Sequence, residues 1–115
     1  MSDAFLPGFE VRPLVQPERT AGLTIQQKFE AFDAANPQVG QLLTSMARSM
    51  KSRGRTRIGI GMLYEVLRWN YYLNNSDPNS DFKLSNNYRS RYARKIMETH
   101  KDMDGFITTR ELRTP

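Results

Sequence analysis

The residues His100 to Leu112 read HKDMDGFITTREL, and their acids are spaced as in a calcium loop. Asp102, Asp104, Gly105, Ile107 and Glu111 occupy the third, fifth, sixth, eighth and twelfth positions of the EF-hand pattern, where the pattern places oxygen ligands, a turn glycine and a closing glutamate. The first position needs an acid and holds His100; Lys101 and Arg110 add positive charge, and only LRTP follows Glu111 where an exit helix is required. The same residues are accounted for by a helix end, an Asp-Gly turn and a terminal strand, so no metal is expected. In DPNSDFKLSNNY, Asp77, Asn79 and Asp81 alternate correctly, but Phe82 stands in place of the glycine and Tyr88 in place of the last glutamate. That segment is read as a turn.

Other reactive constellations are thin. His100 is the single histidine and cysteine is absent, so neither a nucleophile with its base nor a thiolate site can be assembled. Gly59 and Gly61 form a lone G-x-G, better suited to a bend in a strand than to a phosphate loop. The expectation is a protein without catalysis or cofactor.

The cations are more informative. Residues 1–47 carry three Lys/Arg against five Asp/Glu, and residues 48–115 carry fourteen against seven, so the net charge of +5 comes from the second part. A concentrated positive field attracts a polyanion through counterion release. Arg48, Lys51, Arg53, Arg55 and Arg57 fall within ten residues at a helix end and loop. They read either as a solvated face with favourable charge at a helix C-terminus or as contacts to nucleic-acid phosphates, with Lys83 and Arg89 added to the same set. Asn87, Arg91 and Arg94 recur at i, i+4 and i+7, with Asn86 and Ser90 beside them. Amides and guanidiniums are the groups that pair bidentately with adenine and guanine edges; the alternative is an ordinary polar helix face. Trp69, Tyr71 and Tyr72 could stack single-stranded bases, or serve as core and rim of an amphipathic helix.

These side chains need elements to position them. Residues 1–22, with Pro7, Gly8, Pro13, Pro17 and Gly22, predict an extended or disordered arm, and residues 23–115 a single domain. Thr24 can cap a helix whose Ile25, Phe29 and Phe32 form one stripe. Asn36 and Pro37 restart the chain as a second helix with Val39, Leu42, Leu43, Met46 and Met50 on one side, stopped by Gly54. Arg55 to Ile60 reads as a short strand, and Met62, Leu63, Val66, Leu67 and Leu73 follow at helical spacing. Residues 74–81 are a turn, Ser85 caps a last helix with Leu84, Tyr88, Tyr92 and Ile96 inward, and GFITTREL reads as a strand. Tyr64, Tyr88 and Tyr92 are expected to pack with their hydroxyls at the surface. The start of the chain lacks the basic and apolar runs of a signal peptide, and no apolar run approaches the roughly 20 residues of a membrane helix, so a soluble, cytoplasmic protein is expected.

The order of helix, helix, strand, helix, turn, helix, strand resembles the winged helix-turn-helix fold, mainly α with a small β element. The resemblance covers residues 37–112 and implies that Arg57 to Ile60 pair with Phe106 to Arg110. It also implies that the last helix enters the major groove of double-stranded DNA. RIGIGMLYEVLRW and FKLSNNYRSRYARKIM are similar to stretches of short proteins from bacterial and phage genomes, a likeness that implies no activity. The expected function is non-catalytic duplex binding, with Asn86, Asn87, Ser90, Arg91 and Arg94 on bases and Arg48 to Arg57, Lys83 and Arg89 on phosphates. A winged-helix adaptor for protein partners competes with it, and a homodimer is compatible with either.

Overall fold

A computed structural model describes residues 14–17, 20–74 and 84–109. The first helix, α1 (Ile25–Ala35), begins at a reciprocal cap: the Gln27 N–H donates to Thr24 Oγ1 at 3.1 Å, and the Thr24 N–H donates to Gln27 Oε1 at 2.9 Å. Two of the first four orphan amides are thereby satisfied. Phe29 and Phe32 are buried, whereas Ile25, expected on the same stripe, is 45% exposed.

Pro37 opens α2 (Pro37–Ser52), which buries Val39, Leu43, Met46 and Ala47. Asn36, expected to cap α2 with its side chain, makes no such bond. Its buried carboxamide accepts from the Val15 N–H at 2.6 Å and donates to the Val15 carbonyl at 2.7 Å and the Phe32 carbonyl at 3.1 Å. One side chain thus pairs with Val15 as a neighbouring strand would, and Leu14 packs against the core beside it. Within the expected arm, Leu14 and Val15 are thus held against the domain; residues 1–13, 18 and 19 lie outside the described residues.

The β element is two residues per strand. In β1 (Ile58–Gly59) and β2 (Ile107–Thr108), Ile58 pairs with Ile107 and Gly59 with Thr108 in parallel, and the Ile58 N–H donates to the Phe106 carbonyl at 2.9 Å. This is the expected pairing, shorter at both ends; Arg110 lies outside the described residues. Helix α3 (Ile60–Asn74) starts directly after β1, two residues earlier than its apolar spacing suggests. After the turn region, Ser85 Oγ accepts from the Asn87 N–H and a 3-10 turn (Asn86–Tyr88) leads into α4 (Arg89–Thr99). The turn expected over residues 74–81 lies outside the described residues beyond Asn74.

The described helices enclose one core that includes Leu43, Leu63, Tyr64, Leu67, Tyr92, Ile96, Met103 and Phe106. The inward stripe of Leu84, Tyr92 and Ile96 is buried and Tyr88 packs against it. The tyrosine hydroxyls do not behave as the sequence suggested. Tyr64 is fully buried and donates to the Ser85 carbonyl at 2.6 Å, and Tyr92 is 1% exposed with its hydroxyl enclosed. Burial pushes both phenols far above their ordinary pKa, because the charged form loses its hydration. Among the described residues, no helix is long and apolar enough to cross a membrane.

Asn36→Ala removes all three carboxamide bonds. At a net contribution of about 0.5–1.5 kcal/mol each, the variant should lose about 2–4 kcal/mol in urea unfolding, and the Val15 amide should lose its protection from hydrogen exchange. Unchanged protection at Val15 would contradict the clamp.

Candidate nucleic-acid interface

The loop between α2 and β1 is held at both ends. At its start, the Gly54 N–H donates to the Lys51 carbonyl at 3.0 Å and the Arg55 N–H to the Met50 carbonyl at 3.2 Å, the bond pair of a Schellman cap. Gly54 has φ +92°, a conformation that glycine adopts without a Cβ penalty. At its end, Ile58 is paired into β1. Arg53, Arg55 and Arg57 project between these anchors, all exposed, and among the described residues their side chains make no hydrogen bond or ion pair.

Arg48 and Lys51, read from sequence as part of the same set, are placed differently. Arg48 Nη1 donates to Asp102 Oδ2 at 2.5 Å and Nη2 to Oδ1 at 3.2 Å, and Nη2 lies 3.2 Å from His100 Nδ1. Lys51 Nζ donates to the Asp102 carbonyl and stands 6.0 Å from the centre of the Phe106 ring. These two cations tie the end of α2 to the segment after α4. Arg89, half-exposed, lies against the start of α3, with Nη1 3.6 Å from where a Cβ on Gly61 would stand. Lys83 lies outside the described residues.

The expected reading face of α4 is only partly open. Phe29 meets Tyr92 edge to face at 4.7 Å between ring centres, and Phe29 and Phe32 stand 5.7 and 5.3 Å from Tyr88, so α1 runs along one flank of α4. Arg91 Nε donates to Gln26 Oε1 at 3.0 Å and Nη1 to the Asn87 carbonyl at 3.2 Å. Lys95 pairs with Asp33. The two helices border an open cleft of about 530 Å³ whose lining includes Glu30, Asp33, Arg91, Arg94, Lys95 and Glu98. Three acids face three bases there, so the cleft carries little net field. Asn86 accepts from Arg68, which also donates to the Leu84 carbonyl at 3.2 Å and lies over the Tyr64 ring at 5.4 Å. Of the five candidate base readers, Asn87 and Arg94 are exposed and Ser90 is half-buried, with Arg94 on the cleft beside α1, while Asn86 and Arg91 are tied to neighbours. Gln26, Glu30 and Asp33 were missed from sequence as site residues; the negative balance of residues 1–47 was their one signal.

The possible stacking platform is divided. Trp69 is 57% exposed, neither core nor rim, while Tyr71 packs against the core, since residues two apart on a helix point to different faces; the Tyr72 side chain lies outside the described residues. Trp69 instead continues a line with Met62, 63% exposed, and Val66, 41% exposed.

In the calcium-like loop, Arg48 takes both Asp102 oxygens, and no group of three His, Cys, Asp or Glu side chains among the described residues is placed to hold a metal. Glu111, Asp77, Asn79 and Asp81 lie outside the described residues.

Hydrogen bonding from Arg48 holds the Asp102 carboxyl below its ordinary value, with the charges of Arg48 and then Lys51 acting the same way. For a lowered carboxylate pKa, the unfolded state binds the proton more readily. The stabilisation is therefore present above the ordinary aspartate range and is lost as pH falls through the folded pKa. A carboxyl carbon NMR titration should place the Asp102 midpoint below 3.8, and Arg48→Ala should raise it. An unmoved midpoint would contradict the pairing.

No family model matches the chain, nor does any curated protein or solved structure.

Proposed function

We propose that this protein binds double-stranded DNA without catalysis, as a winged helix-turn-helix-like domain. The observation that carries the reading is the set of three exposed arginines, Arg53, Arg55 and Arg57, on a loop anchored by the Schellman cap and by β1. A fixed loop with unengaged guanidiniums meets phosphates at little ordering cost, and such contacts position a protein on the duplex. The order α2, β1, α3, α4, β2 supports the fold reading, because a strand between the first two helices pairs with one after the last. Base reading narrows to Asn87, Ser90 and Arg94, with Arg94 suited to guanine and Asn87 to adenine. In this reading the N-terminal half of α4 approaches the groove.

A second reading, a protein-interaction adaptor, is favoured by the apolar line Met62, Val66 and Trp69, since large exposed apolar side chains grouped on one helix face mark contact surfaces. The two readings differ in salt response.

With three phosphate contacts, the slope of log K against log salt for a mixed-sequence duplex should be about −2.7, a loss of about 40-fold between 50 and 200 mM. Arg55→Ala should flatten that slope by about 0.9 on every sequence. Met62→Ala should leave it unchanged. A flat response, or no binding at low salt, favours the adaptor.

Arg94→Ala should cost about 1–3 kcal/mol on a duplex selected from random sequence and much less on a scrambled one. Equal losses on both would remove α4 from base recognition. The melting temperature should hold, because Arg94 is exposed and belongs to no apolar stripe.

A further inference from the structure

Asp102 stands where it competes with a ligand for cations. Arg48 precedes the arginine loop on the same helix, about 7.5 Å along the axis from Arg53 at 1.5 Å per residue, so it would extend the positive strip by one contact. Its guanidinium is instead turned to the segment after α4, where both Asp102 oxygens accept from it and His100 Nδ1 lies 3.2 Å away. The pair is open to solvent, with side chains 45% and 51% exposed. An exposed ion pair of this kind contributes little to stability, so the fold does not require it, and its salient effect is on where the cation points.

We infer that Asp102 is an internal counter-ion that withholds Arg48 from the phosphates of a bound nucleic acid. The segment around Asp102 is well placed for this. The Met103 N–H donates to the His100 carbonyl at 2.9 Å, Met103 and Phe106 are buried, and β2 follows in register with β1, so the carboxylate is presented from a fixed turn. Lys51 is drawn to the same turn by the Asp102 carbonyl, which a side-chain substitution leaves intact. The device therefore acts on Arg48 alone. In the resting protein the phosphate contacts are Arg53, Arg55 and Arg57, and loss of the Asp102 charge adds a fourth.

The inference rests on the DNA-binding reading for its biological ligand, and the test separates the two. The full chain, Arg48→Ala, Asp102→Asn and the double variant would each be titrated with duplex DNA at several salt concentrations and eluted from heparin, a polyanion without base pairs. Asp102→Asn should steepen the salt slope by about 0.9 and tighten duplex binding about 8-fold near 0.1 M salt, with later elution from heparin. Arg48→Ala alone should match the unmodified chain, and the double variant should lose the gain. A gain that persists without Arg48 is a general charge effect and overturns the inference, as does an unchanged slope in Asp102→Asn. Should that variant fold poorly in melting curves, Arg48→Ala decides: a slope flattened by about 0.9 shows that Arg48 already contacts phosphate, while an unchanged slope supports the withheld state. If the chain does not bind duplex DNA but the heparin pattern appears, the DNA reading falls and the counter-ion stands; duplex binding without the pattern has the opposite meaning.

Discussion

Phe29 and Phe32 of α1 meet Tyr88 and Tyr92 near the start of α4 at centroid distances of 4.7 to 5.7 Å, and this packing sets where α1 can lie. Burying two phenylalanines contributes about 1.5–3 kcal/mol each, and edge-to-face pairs add about 0.5–1.5 kcal/mol. The polar contacts along the same seam each have an end in solvent, Arg91 with an exposed Gln26 and a 55% exposed Lys95 with a largely enclosed Asp33, and so add less than the aromatic burial. The aromatic packing therefore decides the placement and the ion pairs follow from it. Once α1 is seated, the acids it carries, Glu30 and Asp33, line the cleft beside Arg91, Arg94 and Lys95 of α4.

Charge is sorted by the same geometry. Of the described cations read as ligand contacts, Arg48, Lys51 and Arg91 are engaged with the protein itself, and Arg53, Arg55 and Arg57 extend into solvent. The difference has a local cause. The Schellman cap at Gly54 ends α2: Arg48 and Lys51, on the helix before the cap, reach the turn at Asp102, whereas Arg53 at the cap and Arg55 and Arg57 beyond it are exposed. The two-residue parallel ladder would not hold by itself. It persists because Ile58, Phe106 and Ile107 are buried around it, and it fixes the far end of the arginine loop.

Several local readings were legible in the chain. The Thr24 cap with Gln27 three residues on, Pro37 at the start of α2, Gly54 at its end and Ser85 before α4 each follow from the conformational preference of one residue type. The inward line of Leu84, Tyr88, Tyr92 and Ile96 follows from helical periodicity, while the pairing of residues 58–59 with 107–108 was implied only by the resemblance to a winged helix-turn-helix. Other readings failed for a shared reason. Met62, Val66 and Trp69 have the spacing of a core stripe, yet α3 buries the neighbouring line of Leu63, Tyr64 and Leu67. Periodicity shows that a helix has an apolar face; where two apolar arcs adjoin, packing chooses which one is covered.

What the sequence by itself determined was the order of the described helices, the starts of α1 and α2 and the end of α2, the concentration of cations after residue 47 and the lack of cysteine. These depend on residue identity within a few positions of the chain. The tertiary structure alone decided which cations remain open. Arg48 and Asp102 are 54 residues apart, Arg91 and Gln26 are 65 apart, and Asn36 reaches back 21 residues to Val15. Such pairings arise only when burial of the shared core brings distant segments together. A guanidinium is chemically the same in either setting, and only its neighbours in space make it a bond within the fold or a free contact for a polyanion.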